Sequence, residues 1–332
     1  MLVSRTLTKS PENWTALAPA KLNLSLEVLG KRDDGFHELE TLMVPVRLFD
    51  TLSWTPTASK ESSPFSFRLT NPTSGDTPAD QTNLVVRAVE LLAKEAGTAP
   101  QGVFTLTKRI PTQAGMGGGS SDAAAALMLA NRAWGLNYPN QRLARLAAKL
   151  GSDVPFFLAG GPAVCQGRGE RTQAVRGLQK LHFVVVKPTE TVSTREAFSA
   201  LQAVPYDDPE TAKKTTALES LIGLLRGGRL HKAASQMRNS FQDVICQIEP
   251  SLQRLVQRLN ETNPWGGMMT GSGSAFFCLC RSASHANHVA GRLRSNLDWM
   301  QGSNQRGTVS ETAVGGAHDR THGTVWTTST CH

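Results

Sequence analysis

Cysteine is scarce and unpatterned in this chain: five in 332 residues, at positions 165, 246, 278, 280 and 331. An odd count at irregular spacing excludes a disulfide framework, and there is no CxxC pair for a metal. That usage predicts a reducing compartment, the cytoplasm. Long apolar runs are missing as well. The longest, over 123–130, falls far short of the ~20 residues that span a bilayer, so no membrane partner is expected. Residues 1–13 carry no apolar stretch of the secretory type. The histidines at 285, 288, 318 and 322 lack companion ligands, so no protein metal site is expected. Like charge never runs beyond two residues, as in Lys31-Arg32. A net charge of +8 suits a phosphate-bearing ligand, but its dispersal argues against a nucleic-acid arm.

What remains is a globular composition, 39% apolar and 19% charged, at a length that suits two domains. Leu22, Leu24, Leu26 and Val28 alternate with polar residues, the period of a half-buried strand, and 30–35 reads as a turn. One or two further strands are predicted over 39–54. The stretch 55–82, rich in Pro, Ser and Thr, is predicted as a loop-bearing hairpin with a short strand at 65–69. Asn83 is placed to cap a helix through Ala96, stopped by Gly97. The pattern 103–108 is again a strand, and 182–186 is the strand that opens the second domain. Helices are predicted over 194–202, 218–225, 230–237, 252–260 and 283–295, and a strand over 276–280. Cys278 and Cys280 would share one face of that strand and pack as small hydrophobes. In 301–332, 15 of 32 residues are Gly, Ser or Thr without apolar period. This segment is predicted to be disordered.

Glycine is concentrated where chemistry is expected. Pro111, Thr112, Gln113, Ala114, Gly115, Met116, Gly117, Gly118, Gly119, Ser120 and Ser121 run directly into an alanine-rich helix predicted over 122–134. Glycines let backbone amides approach an anion, and a helix N-terminus offers both unpaired amides and the positive end of its dipole. The two serines add hydroxyls for phosphate oxygens or Mg²⁺. No lysine follows these glycines, so this is not a Walker A loop. Ser120 stands where a dinucleotide fingerprint needs its third glycine. Both common nucleotide folds are therefore disfavoured.

Other residues decide nothing singly. Asp153, in Gly151-Ser-Asp-Val-Pro155, is a possible base or an ordinary turn residue, with the Val-Pro step predicting an extended exit. Lys21 is a possible cation for it or a solvated lysine. His37 reads equally as structural. The second glycine loop, 271–274, either lines a phosphate or turns the chain.

Taken in order, Pro19-Ala-Lys-Leu-Asn-Leu24, Gly35-Phe-His37, the loop 111–121, Gly151-Ser-Asp-Val-Pro155 and Thr270-Gly-Ser-Gly-Ser274 resemble the GHMP small-molecule kinases. The resemblance spans about 18–295 and is strongest to the branch acting on a cytidine-diphosphate-linked methylerythritol. It implies a mixed α/β, two-domain fold of the α+β kind. An N-terminal, ATP-binding domain like domain 2 of ribosomal protein S5 would cover 14–175, and a ferredoxin-like C-terminal domain 176–300. It implies ATP and Mg²⁺ as cofactors, with ATP on 111–121, and Lys21 and Asp153 as the catalytic pair. A small-molecule cytidylyl substrate would lie in the cleft between the domains. Phe36 and His37, faced by Thr194 and Phe198, would hold its cytosine, and Asn23 would touch the erythritol end. The family commonly has tyrosine where this chain has Phe36, a change that keeps stacking but loses a phenol hydrogen bond. The implied reaction is ATP-dependent phosphorylation of the 2-hydroxyl of 4-diphosphocytidyl-2-C-methyl-D-erythritol, by a monomer or weak homodimer. The rivals are a GHMP kinase for homoserine, mevalonate or a sugar, and a non-catalytic nucleic-acid binder. Family members close with a short apolar strand after the last helix, and 301–332 offers no good candidate.

Overall fold

The computed structural model describes residues 2–6, 13–57, 65–70, 77–201, 203, 206, 210–295 and 324–331. Alternating and β-branched segments give a first sheet from β1 (Leu2–Thr6), β2 (Asn13–Lys31), β3 (His37–Thr55), β4 (Phe65–Thr70), β5 (Gly102–Thr107), β6 (Ala163–Gly167) and β7 (Arg171–Ala174). Helices α1 (Leu84–Ala96), α2 (Gly118–Ala133), α3 (Asn140–Leu150) and α4 (Val154–Leu158) fall between these strands in the chain. The strand order is β1-β2-β3-β5-β4, with β6 pairing β3 and β7. The second sheet is built from β8 (His182–Lys187), β9 (Gly266–Met269), β10 (Phe276–Cys280) and β11 (Thr324–Ser329). Between β8 and β9 lie α5 (Thr194–Ala200), α6 (Glu210–Arg226), α7 (Leu230–Ala234), α8 (Gln242–Ile248) and α9 (Pro250–Glu261), and α10 (Ala283–Ser295) precedes β11. The order β11-β8-β10-β9 is antiparallel throughout, the 4-1-3-2 arrangement of a ferredoxin-like sheet.

Strands β2 and β3, 19 residues each, run past both layers. Their register shifts between Pro19 and Ala20, where Arg47 and Leu48 bulge out of β3, and such a bulge bends the pair. Before it, Ala16, Ala18, Leu52 and Trp54 pack under α1 and α2 in the first core. Beyond it, Ala20, Leu22, Leu24, Leu42 and Val44 meet Phe183, Val185 and Phe277 of the second sheet. A third core, with Cys278 and Cys280 together on one face of β10, lies under α8, α9 and α10. The bent ribbon thus puts Lys21 and Asn23 at the junction of the sheets.

Several expectations are corrected. The segment 55–82 is no hairpin: β4 pairs in parallel with β5, across α1, and leaves β3 unpaired with it. The parallel partner lies beyond a crossover helix, which local turn chemistry does not reveal. Val154-Pro155 does not force an extended exit but opens α4, because proline's missing N–H costs nothing in a first turn. Helix α2 begins at Gly118, inside the glycine run. The disorder expected over 301–332 is overturned for 324–331. There β11 supplies the closing strand, Val325 opposite Val186 and Trp326 opposite Val185. Threonine made this stretch look like a tail, yet Thr, Val and Trp are good strand residues. The remainder of that expectation, 301–323, lies outside the described residues.

Candidate active site

Lys21 projects from β2 into the junction and is 3% exposed. Its backbone N–H donates to the Met116 carbonyl at 2.9 Å, which fixes β2 against the glycine loop. Its Nζ lies 2.5 Å from Asn23 Oδ1 and 3.7 Å from Asp153 Oδ2. Burial pushes the ammonium below the usual lysine value, and the Asp153 charge opposes that shift. Asp153 stands at the start of α4 with its side chain one-third exposed, 32%, so it is open to a substrate. The sequence-predicted catalytic pair is thus brought together, one partner fixed and buried, the other partly exposed.

Asn23 lies beside Lys21. It is buried, and its Oδ1 accepts from Lys21 Nζ, from the Gly271 N–H at 2.9 Å and from Thr270 Oγ1 at 3.2 Å. Its Nδ2 donates to Thr41 at 2.8 Å. An amide so committed ties the lysine to the second glycine loop.

The loop 111–121 ends in α2 with Gly117 as N-cap at φ 68° and no side chain capping it. The first amides of that helix therefore have neither an intrahelical nor a side-chain acceptor. A Cβ at Gly117 would stand 3.0 Å from the Phe157 ring and 3.1 Å from Lys21 Cγ. A Cβ at Gly115 would come within 2.1 Å of the Thr270 carbonyl oxygen. The two glycine loops thus lie backbone against backbone. Ser121 Oγ is buried with no partner among the described residues. An unspent hydroxyl beside uncapped amides fits a nucleotide phosphate and the Mg²⁺ that accompanies it.

Below the loop is a charge cluster that the sequence did not disclose. Lys108 Nζ bonds Asp50 Oδ2 at 2.5 Å and Asp122 Oδ2 at 2.8 Å, all three buried. Asp50 Oδ1 also accepts from the N–H groups of Arg109 and Ile110, at 2.5 and 2.9 Å. The strand entering the loop and the helix leaving it are therefore joined at their base. Burial raises the Asp122 carboxyl well above the ordinary range, against the pull of Lys108. Lys108 is raised, its two carboxylates outweighing the effect of burial.

A cleft of about 720 Å³ opens beside Asp153. Ser152, Phe36, His37 and Phe198 line it together with Lys31, Arg168 and Arg195. His37 stacks on Phe198 with centroids 4.7 Å apart, and Phe198 meets Phe241 edge-on. Burial, with Lys31 nearby, lowers the His37 value below that of an ordinary histidine. Phe36 is 51% exposed, with the Arg168 guanidinium 4.7 Å above its ring. Thr194 is not part of this wall. Its hydroxyl meets Ser272 of the second glycine loop at 2.9 Å. Arg168 and Arg195 escaped sequence reasoning, although Gly167 and Gly169 flanking Arg168 mark an exposed turn.

Two sheets meeting over paired glycine loops, with a lysine and a carboxylate between them, define the GHMP kinase class. The family described as GHMP kinases N terminal domain matches residues 83–161, and GHMP kinases C terminal matches 218–298. The chain belongs to the 4-diphosphocytidyl-2-C-methyl-D-erythritol kinase family. It is 38% identical to the kinase of that name from Pelotomaculum thermopropionicum over 84% of this chain and 93% of that protein. With the one from Mycolicibacterium smegmatis it shares 35% over 84% and 85%. A solved structure of 4-(cytidine 5'-diphospho)-2C-methyl-D-erythritol kinase superposes with TM-score 0.72 at 31% identity, covering 96% of this chain and all of that one. A homoserine kinase from Cytophaga hutchinsonii reaches the same TM-score at 15% identity over 98% and 96%, a likeness of fold alone. Among the described residues no helix is long and apolar enough to cross a membrane, and no cluster of His, Cys, Asp and Glu could hold a metal by itself.

Proposed function

We propose that the protein transfers the γ-phosphate of ATP to the 2-hydroxyl of 4-diphosphocytidyl-2-C-methyl-D-erythritol, giving the 2-phosphate and ADP. The reading rests on one observation: Ser152, the neighbour of Asp153, lines the same cleft as Phe36, His37 and Phe198. A substrate that carries both a base and a hydroxyl fits a cleft lined by an aromatic wall and by the neighbour of Asp153, and the named relatives carry the activity in their names.

Asp153 takes the hydroxyl proton. A carboxylate within hydrogen-bond reach of a hydroxyl can act as its general base. Lys21, held by Asn23, fixes Asp153 and offsets the charge that develops on the attacking oxygen. The uncapped amides of α2 hold the nucleotide phosphates, and Gly117 leaves them room. Ser120 and Ser121 are the side chains that would hold Mg²⁺, which when bound offsets charge on the transferring phosphate. His37 and Phe198 form a preassembled aromatic wall for cytosine, since any base offers a face for stacking.

The test is ADP release from Mg-ATP with and without the cytidylyl substrate, beside Asp153→Asn. Turnover that requires this substrate and falls by at least about 10² in the variant is the expected result. Turnover with homoserine or mevalonate instead would overturn the substrate assignment. Near wild-type rates in the variant would remove the base.

A further inference from the structure

The cleft is unusual in its charge. Lys31, Arg168 and Arg195 line it, and among the described residues no carboxylate does. The acids near its rim are engaged: Asp34 pairs with Arg32 at 3.0 Å, and Glu38 bonds both Arg32 and Arg171. Glu170 accepts the Arg168 backbone N–H at 2.7 Å but stands 4.0 Å from its Nε. Among the described residues Lys31 and Arg195 have no ion-pair partner and Arg168 has only the long contact to Glu170, and the three, from β2, the β6–β7 turn and α5, line the same space as the aromatic wall and Ser152. Such an arrangement suits an anionic group on the same ligand that the aromatic wall holds.

One of the three is also in the way. The Arg168 guanidinium covers a face of Phe36, a surface on which a base could stack. An arginine on an aromatic ring is held weakly at an exposed site, so a better partner can draw it off.

Resting on the cytidylyl reading above, we infer that Arg168 and Arg195 bind the diphosphate linking cytidine to the polyol. Arg168 does so by leaving the face of Phe36, which the cytosine then takes. The guanidinium acts as a placeholder: it keeps the ring covered when no diphosphate is present and releases it when one arrives. The cleft thereby selects for base and diphosphate together, and a nucleoside alone must displace the arginine without compensation.

The measurement is calorimetric titration of CDP and of cytidine into the wild-type protein, Arg168→Ala, Arg195→Ala and Arg168→Lys, with Mg-ATP titrated separately as a check on folding. Wild type is expected to bind CDP at least about tenfold more tightly than cytidine. In Arg168→Ala, CDP weakens by about tenfold, the scale of a lost charge-assisted contact. Cytidine in the same variant tightens by about two- to fivefold, because no cation–π contact has to be broken. In Arg195→Ala only CDP weakens. Arg168→Lys keeps CDP within about threefold of wild type while cytidine still tightens. Equal weakening of CDP and cytidine in Arg168→Ala would mean that the guanidinium stacks on the base, and the inference would fall. No change in either ligand would overturn it too. Wild-type protein that binds Mg-ATP but neither cytidine ligand would remove the cytidylyl reading itself, and this inference with it.

Discussion

Asn23 holds four groups at once: the Lys21 ammonium, a hydroxyl, a backbone N–H and a threonine on the neighbouring strand. Truncating it leaves buried donors unpaired, each at about 1–3 kcal/mol. Asn23→Ala should therefore lower both Tm and kcat, kcat by at least about tenfold, with KM for ATP affected less. Steady-state kinetics beside thermal unfolding would show it. Asn23→Asp, which keeps the acceptor and adds a charge beside Lys21, should retain more activity than the alanine variant. The residues to which the proposed chemistry is assigned stood out in the sequence because each is embedded in a local pattern of glycine, proline and polar neighbours. Their supports were not. Asn23 and Thr270 are 247 positions apart, and no short-range periodicity encodes such a pairing. An asparagine inside an alternating strand reads as solvent-facing until a second layer covers it.

Among the elements, the glycine loop and its base carry two expectations. Gly115 adopts φ 68°, and a Cβ there would overlap the Thr270 carbonyl. Gly115→Ala should force the two loops apart and weaken ATP binding by more than about tenfold, on top of the 1–3 kcal/mol of a strained backbone. Titration of ATP against the folded variant would read this. Asp122 gives a pH dependence. Its folded carboxyl is raised above the ordinary value of 3.8, so the protonated form is the favoured one. Its contribution to stability is complete below that value and is lost as pH rises through the raised folded one. Asp122→Asn cannot ionise. Its Tm relative to wild type should therefore climb from pH 5 to about pH 8 and level off above that. A constant difference across that range would contradict the sign. Periodicity served the elements well where one face is buried, as in α1 capped by Asn83, and failed where the partner is remote. The parallel pairing of β4, the helix opened by Val154-Pro155 and the strand β11 all depend on tertiary neighbours rather than on their own composition.

At the scale of the molecule, the second sheet is closed by a strand far from the rest of it in sequence. β11 covers the outer edge of β8, and Arg294 of α10 bonds the Val325 carbonyl at 2.8 Å. Deleting 324–332 should expose that edge, lower Tm by roughly 5–10 °C for a loss of a few kcal/mol, and promote association. Light scattering during thermal unfolding would detect both effects. The two-layer plan itself was legible through resemblance, since five motifs in order carry it. Composition alone would have stopped at a globular chain of two domains, because a strand rich in threonine and a tail rich in threonine differ only in what lies beside them.

The place of β11 also sets a timetable. A chain is made from its N-terminus, and the loops, Lys21, Asp153 and three strands of the second sheet all leave the ribosome before codon 324 is read. Until Ser329 has emerged, β8 presents a bare row of amides and carbonyls to every neighbouring nascent chain. A message broken upstream of that codon would yield a product with all of its proposed chemistry and none of this protection. Cellular quality control would meet it as an open edge rather than as a broken enzyme.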